Sequence, residues 1–137
     1  MTPQDRITLT QELFSAFLQG DMGPIFAAVS DDVEVRLTIS PGTPISGVFH
    51  GKDGLAEYFT KNAATVETTA FEILNYLAGG DQVAIVGRES LIVRSTGAAN
   101  VDSDWVMLCT FKEDKIASIV VIENTAVIAE AYPTARA

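Results

Sequence analysis

From Val66 onward the chain reads as four consecutive strand-like runs, roughly 66–78, 82–94, 101–112 and 116–124. Gly79-Gly80-Asp81, Ser95 to Asn100 and Glu113-Asp114-Lys115 separate them, short stretches of turn-forming residues that suit antiparallel hairpins. The first half of the chain reads differently. Thr2 is placed to cap a helix, Pro3 suits its first turn and Asp5 complements its dipole. Ile7, Thr10, Leu13, Phe14, Phe17 and Leu18 then recur at helical spacing, giving one apolar stripe until Gly20 stops the helix. Asp21 is placed to cap a second, shorter helix carrying Ile25, Phe26 and Val29. Ser30-Asp31-Asp32 ends that helix and starts a strand through Val33, Val35, Leu37 and Ile39. A loop follows over Ser40 to Pro44, Gly47 and Gly51 bracket a short segment, and Leu55, Tyr58 and Phe59 mark a third helix from about Lys52 to Ala64. Helices first and strands afterwards predict an α+β fold with helices covering one face of a sheet. The 137 residues suit a single domain over 1–137, long enough for one core and too short for two.

Composition removes several function classes. A net charge of −9 disfavours nucleic acid and anionic lipid as partners, since both need clustered Lys and Arg. No run approaches the roughly 20 continuous apolar residues of a membrane span, and the first residues lack the basic-then-apolar pattern of a signal peptide, so a cytoplasmic location is expected. The lone Cys109 cannot form an internal disulfide. With one histidine, His50, and no Cys-rich spacing, neither a metal nor a cofactor is expected.

The last run, Ile116 to Thr125, carries one carboxylate near its end. Alternation puts Ala117, Ile119, Val121 and Glu123 on one surface and Ser118, Val120, Ile122 and Asn124 on the other. An unpartnered buried carboxylate shifts its pKa or takes a cation, so Glu123 either reaches solvent or lines a site.

The order of elements, with Gly20-Asp21-Met22, Ser30-Asp31-Asp32-Val33, Phe49-His50-Gly51-Lys52-Asp53-Gly54 and Phe111-Lys112-Glu113-Asp114-Lys115-Ile116, resembles the SnoaL-like branch of the nuclear transport factor 2-like superfamily over about residues 5 to 130. The resemblance implies a curved antiparallel or mixed sheet wrapped around a long N-terminal helix, with two further helices. It also implies a pocket between helices and concave face, and a homodimer through the convex face. The superfamily includes ketosteroid isomerases, polyketide cyclases, limonene epoxide hydrolases and proteins that only bind ligands or partners.

Carrying the known chemistries over residue by residue removes two of them. The Tyr, base Asp and protonated Asp of ketosteroid isomerase fall on Leu13, Leu37 and Met107, none of which transfers a proton. The Tyr, Asn, Arg and two Asp of limonene epoxide hydrolase fall on Val35, Leu37, Arg88, Ser90 and Val121, so only the arginine survives, although a shift of one residue brings Glu89 or Glu123 near the acidic positions. The cyclases resemble this chain most in length and turn pattern and rely on an acidic base near the mouth of an apolar pocket. Glu123 or Asp104 fits that role, with Arg88 or the Trp105 N–H steadying the oxygen that gains charge.

Alternation puts Val35, Leu37, Val86, Arg88, Ser90, Trp105, Met107, Cys109, Val121 and Glu123 on the concave face, and Val83, Ile85, Leu91, Val93, Val106, Leu108, Val120 and Ile122 on the outward one. Glu123 and Arg88 are the catalytic candidates, with a structural ion pair at the pocket edge as the plainer reading. Val35, Leu37, Trp105, Met107 and Val121 are the ligand-binding candidates, with core as the plainer reading of Trp105 and compatible with a place in the pocket wall. His50 and Asp102 read as surface positions and Cys109 as a small buried hydrophobe. The sequence leaves an enzyme acting by acid/base chemistry on a small apolar carbonyl compound and a non-catalytic ligand-binding or dimerisation module as the two readings.

Overall fold

The computed structural model describes residues 1–38, 42–124 and 126–132. Helix α1 runs Pro3–Leu18. The Asp5 amide donates to the Thr2 hydroxyl at 3.1 Å and the Thr2 amide donates to the Asp5 carboxylate at 2.8 Å, a reciprocal box that satisfies two amides a bare helix end leaves open. At the other end Gly20 takes a left-handed φ of 76°, which a side chain would resist. Arg6 fastens this helix to the sheet: its guanidinium donates to the Gly80 carbonyl and lies 5.6 Å from the Phe111 ring centre.

Helix α2 (Gly23–Ala28) leads directly into β1 (Val29–Leu37), so Val29 opens the strand instead of closing the helix. Met22 occupies the cap position without a side-chain bond, and Asp21 accepts from the Gly23 amide at 3.3 Å. Strand β2 (Gly47–His50) precedes α3 (Gly51–Thr65). The four expected runs become β3 (Val66–Gly79), β4 (Gln82–Val93), β5 (Ala99–Lys112) and β6 (Lys115–Glu123). Ile39, Ser40 and Pro41 of the expected strand end and loop lie outside the described residues.

The strands form one sheet in the order β2-β1-β6-β5-β4-β3, antiparallel except where β1 runs parallel to β6. Helix α1 packs on β3 and β4, and α3 on β1, β2 and β3. The covered face carries the core: Val33, Val83, Ile85 and Val93 are fully buried. A fourth helix, α4 (Ala126–Ala131), was not expected. Its six residues are too few to display a period, and it is held by burying Ile128 and Ala129. No helix among the described residues is long and apolar enough to cross a membrane.

One expected face is reversed. Val83, Ile85, Leu91 and Val93 turn inward, while Val86 and Arg88 turn outward. The cause is register: Ile85 stands opposite Met107, and Gly87 opposite Trp105, so the odd-numbered residues of β4 share the face of the odd-numbered residues of β5. Both faces of β4 are apolar, so alternation alone has nothing to choose between, and a one-residue error turns the whole strand over. On β5 and β6 the outward set stands as expected, with Val106, Leu108 and Val120 half-buried and Ile122 exposed.

Gly87 is what lets Trp105 lie flat on the sheet. A methyl group there would run into the six-membered ring of the indole on one side and the Glu72 carbonyl oxygen on the other. Gly87→Ala is therefore expected to cost about 1–3 kcal/mol in urea denaturation, with a changed near-ultraviolet signal from the displaced indole.

Candidate functional site

Between α1, α3 and the concave face lies a cavity of about 440 Å³, within the range of small-molecule sites. Its wall is mostly apolar. Phe14 and Phe17 come from the stripe of α1, Leu55, Tyr58 and Phe59 from α3, and Ile128 of α4 closes one side. Trp105 stacks on Phe71, with ring centres 5.1 Å apart and planes 21° apart, and Phe14 sits 6.1 Å from the indole.

Two carboxyl groups enter this wall. Glu123 is opposite Trp105 on one side of β5, and Glu89 is opposite Ser103 on the other, so both point inward across the same strand. Their carboxyl groups come within hydrogen-bonding reach of each other. Removal from water, that contact and the Glu89 charge together push Glu123 up to about 8, so near neutral pH the pair retains a proton. Tyr58 joins them from α3. Burial first, then the charges of Glu123 and Glu89, hold its phenol well above the usual tyrosine range, so it stays a neutral hydroxyl donor. On β5, opposite the two glutamates, the Ser103 hydroxyl and the Trp105 indole N–H are buried with no hydrogen-bond partner among the described residues.

Of the expected site residues, Val35, Trp105, Met107, Val121 and Glu123 line the cavity. Leu37 is buried at 4% exposure beside Val121 and lies outside the lining. Arg88 is a correction. It lies on the convex face, where its Nε donates to Asp104 at 3.3 Å, and both side chains are well exposed. Neither Arg88 nor Asp104 reaches the cavity, and the anticipated Arg88–Glu123 pair does not form, because the two residues are on opposite faces. Val86 turns outward with Arg88, and Ser90 is drawn into a bulge where its hydroxyl accepts from the Asp102 amide at 2.9 Å.

The cavity adds Glu89, which the sequence offers only through a one-residue shift of the epoxide hydrolase carry-over, and Tyr58, which the sequence reads only as marking a helix. The signal for Glu89 was the β4 register, which would have put it inward in place of Arg88. Tyr58 follows Leu55 by three residues on α3, so the two share a helix face. Cys109 lines the cavity, but burial raises its thiol to about 12, which leaves it protonated and a poor nucleophile. His50 ends β2 and precedes α3 without a side-chain capping bond, and it is exposed. Among the described residues, no three His, Cys, Asp or Glu side chains gather as they would around a metal ion.

The sequence pattern of the SnoaL-like domain matches residues 10–119. The chain belongs to the SnoaL-like family. The SnoaL-like domain also aligns with a nuclear transport factor 2-like protein from Burkholderia xenovorans at 27% identity over 96% of this chain and 98% of that one, with a TM-score of 0.83. TerC, co-crystallised with polyporic acid, aligns at 19% identity over 96% and 99% of the two chains, TM-score 0.79. A candidate SnoaL-like polyketide cyclase from Mesorhizobium loti aligns at 22% identity over 88% and 98%, TM-score 0.71. At such identities the last two show the shared fold alone. No curated protein matches the chain.

The carboxyl pair makes stability depend on pH. Glu123 titrates near its ordinary value of 4.5 when unfolded and near 8 when folded, so between those values the folded state binds more protons. Stability is expected to fall as pH rises through that window, by a few kcal/mol in all. Glu123→Gln should flatten this dependence, gaining on the wild type in denaturation midpoint at pH about 9 relative to pH about 5.

Proposed function

We propose that this SnoaL-like domain binds a small, mostly apolar carbonyl compound in its cavity and moves a proton on it, in the manner of a cyclase or isomerase. The observation that carries this reading is the Glu89–Glu123 pair opening on the cavity beside the neutral Tyr58 hydroxyl. In its ionised form Glu123 takes a proton from the carbon next to the carbonyl. The C–H electron pair moves through to the carbonyl oxygen, and the Tyr58 O–H donates to that oxygen as it gains charge. Returning the proton to a different atom completes an isomerisation, whereas attack of the enolate carbon on a second carbonyl closes a ring.

The apolar wall holds the substrate and excludes the water that would solvate the carboxylate. Val35, Met107 and Val121 form the sheet side of that wall, and Trp105 with Phe71 and Phe14 offers flat surface for a ring. The test is exchange of the α-hydrogens of hydrophobic ketones with deuterated water, followed by proton NMR. Exchange should rise with pH through about 8, drop on the order of 100-fold in Glu123→Gln, and shift its rising limb to lower pH in Glu89→Gln, which removes the neighbouring charge. Exchange no faster than with buffer would leave a non-catalytic ligand-binding module.

The same reading includes a homodimer through the convex face, where Val86, Val106, Leu108, Val120 and the exposed Ile122 form an apolar stripe. Sedimentation should give twice the chain mass of 14.6 kDa, and Ile122→Asp should return the monomer.

A further inference from the structure

The charge of the cavity wall constrains what can enter. Among its described lining residues Glu89 and Glu123 carry carboxyl groups, and none is Lys, Arg or His. The nearby cations are engaged elsewhere: Arg88 faces Asp104 outside, Lys61 reaches Glu57 at 2.7 Å along α3, and Arg94 faces Glu67 at 3.9 Å. Two carboxyls in a poorly solvated wall with no protein cation cannot both ionise, so in the free protein a proton serves as their counter-ion. A positive group on a ligand would serve better, because it lets both ionise. The surrounding wall suits such a group, since the rings of Phe14, Phe71, Trp105 and Tyr58 attract a cation through their faces. The net charge of −9 draws cations toward the protein and repels anions.

We infer that the ligand of this cavity carries a basic nitrogen, an apolar amine whose ammonium group takes the place of the proton shared by Glu89 and Glu123 while its hydrocarbon part lies against Phe14, Phe71 and Trp105. The inference rests on the ligand-binding reading above and adds the charge. For an amino ketone it also supplies the base. The arriving ammonium displaces the shared proton to solvent and leaves Glu123 ionised beside the acidic carbon, without the pH having to rise. The titratable groups of the described lining that face this position are Glu89 from β4, Tyr58 from α3 and Cys109 from β5, and the last two stay neutral.

The test uses the full chain and three probes of one skeleton: phenylbutylamine, phenylbutanol and phenylbutyrate. Binding is followed by Trp105 fluorescence and by calorimetry at pH about 7 in two buffers of different ionisation heat, which reads proton release. The amine is expected to bind about tenfold or more tighter than the alcohol, with close to one proton released, and the acid weakest. In Glu123→Gln, or in Glu89→Gln should the first variant fold poorly, proton release should vanish, since no second carboxyl remains to share a proton, and in the double variant the amine-to-alcohol ratio should fall to about one. Equal binding of amine and alcohol, tightest binding of the acid, or amine binding without proton release would overturn the inference while leaving the pocket reading in place. Failure of all three probes to bind would overturn both.

Discussion

The contact on which the site depends is the indole of Trp105 lying over Gly87. It requires a residue without a side chain at that point of β4, and it locks the register of β4 against β5. From that register the chemistry follows. Glu89 turns into the cavity and Arg88 turns out to meet Asp104. One residue of slip would put Arg88 inside near Glu123, and a proton-sharing carboxyl pair would become an ion pair with a different reactivity.

The second constraint is electrostatic. A carboxyl pair held in an apolar wall is unfavourable to the fold whenever both groups ionise, and nothing on the described protein side neutralises it. The surrounding structure must offset this, through the buried valines and isoleucines of the sheet and the aromatic seam between α1, α3 and β3. A site under such strain is held by elements that are themselves well anchored: α1 by its capping box and by Arg6 on Gly80 and Phe111, α3 by its packing on β1 and β2. Rigidity around the pair is what holds both carboxyl groups in the cavity wall in place of letting them move out into water.

Much of the architecture was legible along the chain because each element repeats its own signal. The stripe Ile7 to Leu18 has one period, the four late strands another, and turn residues separate them; boundaries fell within a few residues. Where no repeat existed the reading failed. Six residues of α4 show no periodicity, and Val29 has an apolar role at a helix end or a strand start alike. In the site, Val35 could be read from alternation on a strand with one polar and one apolar face, Trp105 and Met107 from a strand that a single large aromatic orients, and Val121 from its sharing a face with Glu123. Strand β4 offers neither cue, so alternation puts Arg88 inside and reaches Glu89 only through a one-residue shift.

The sequence by itself determined the fold class, the helix-then-sheet order, the family and the isolated carboxylate at the end of β6, since all of these depend on local periodicity, turn chemistry and residue type. The tertiary structure alone decided which face of β4 meets the helices, and so whether Glu123 has a cation or a second carboxyl for a neighbour. It also decided that Tyr58 joins them. Those outcomes depend on contacts between residues 18 to 65 positions apart, where the packing of one indole against one glycine selects between two registers that local preference leaves equal.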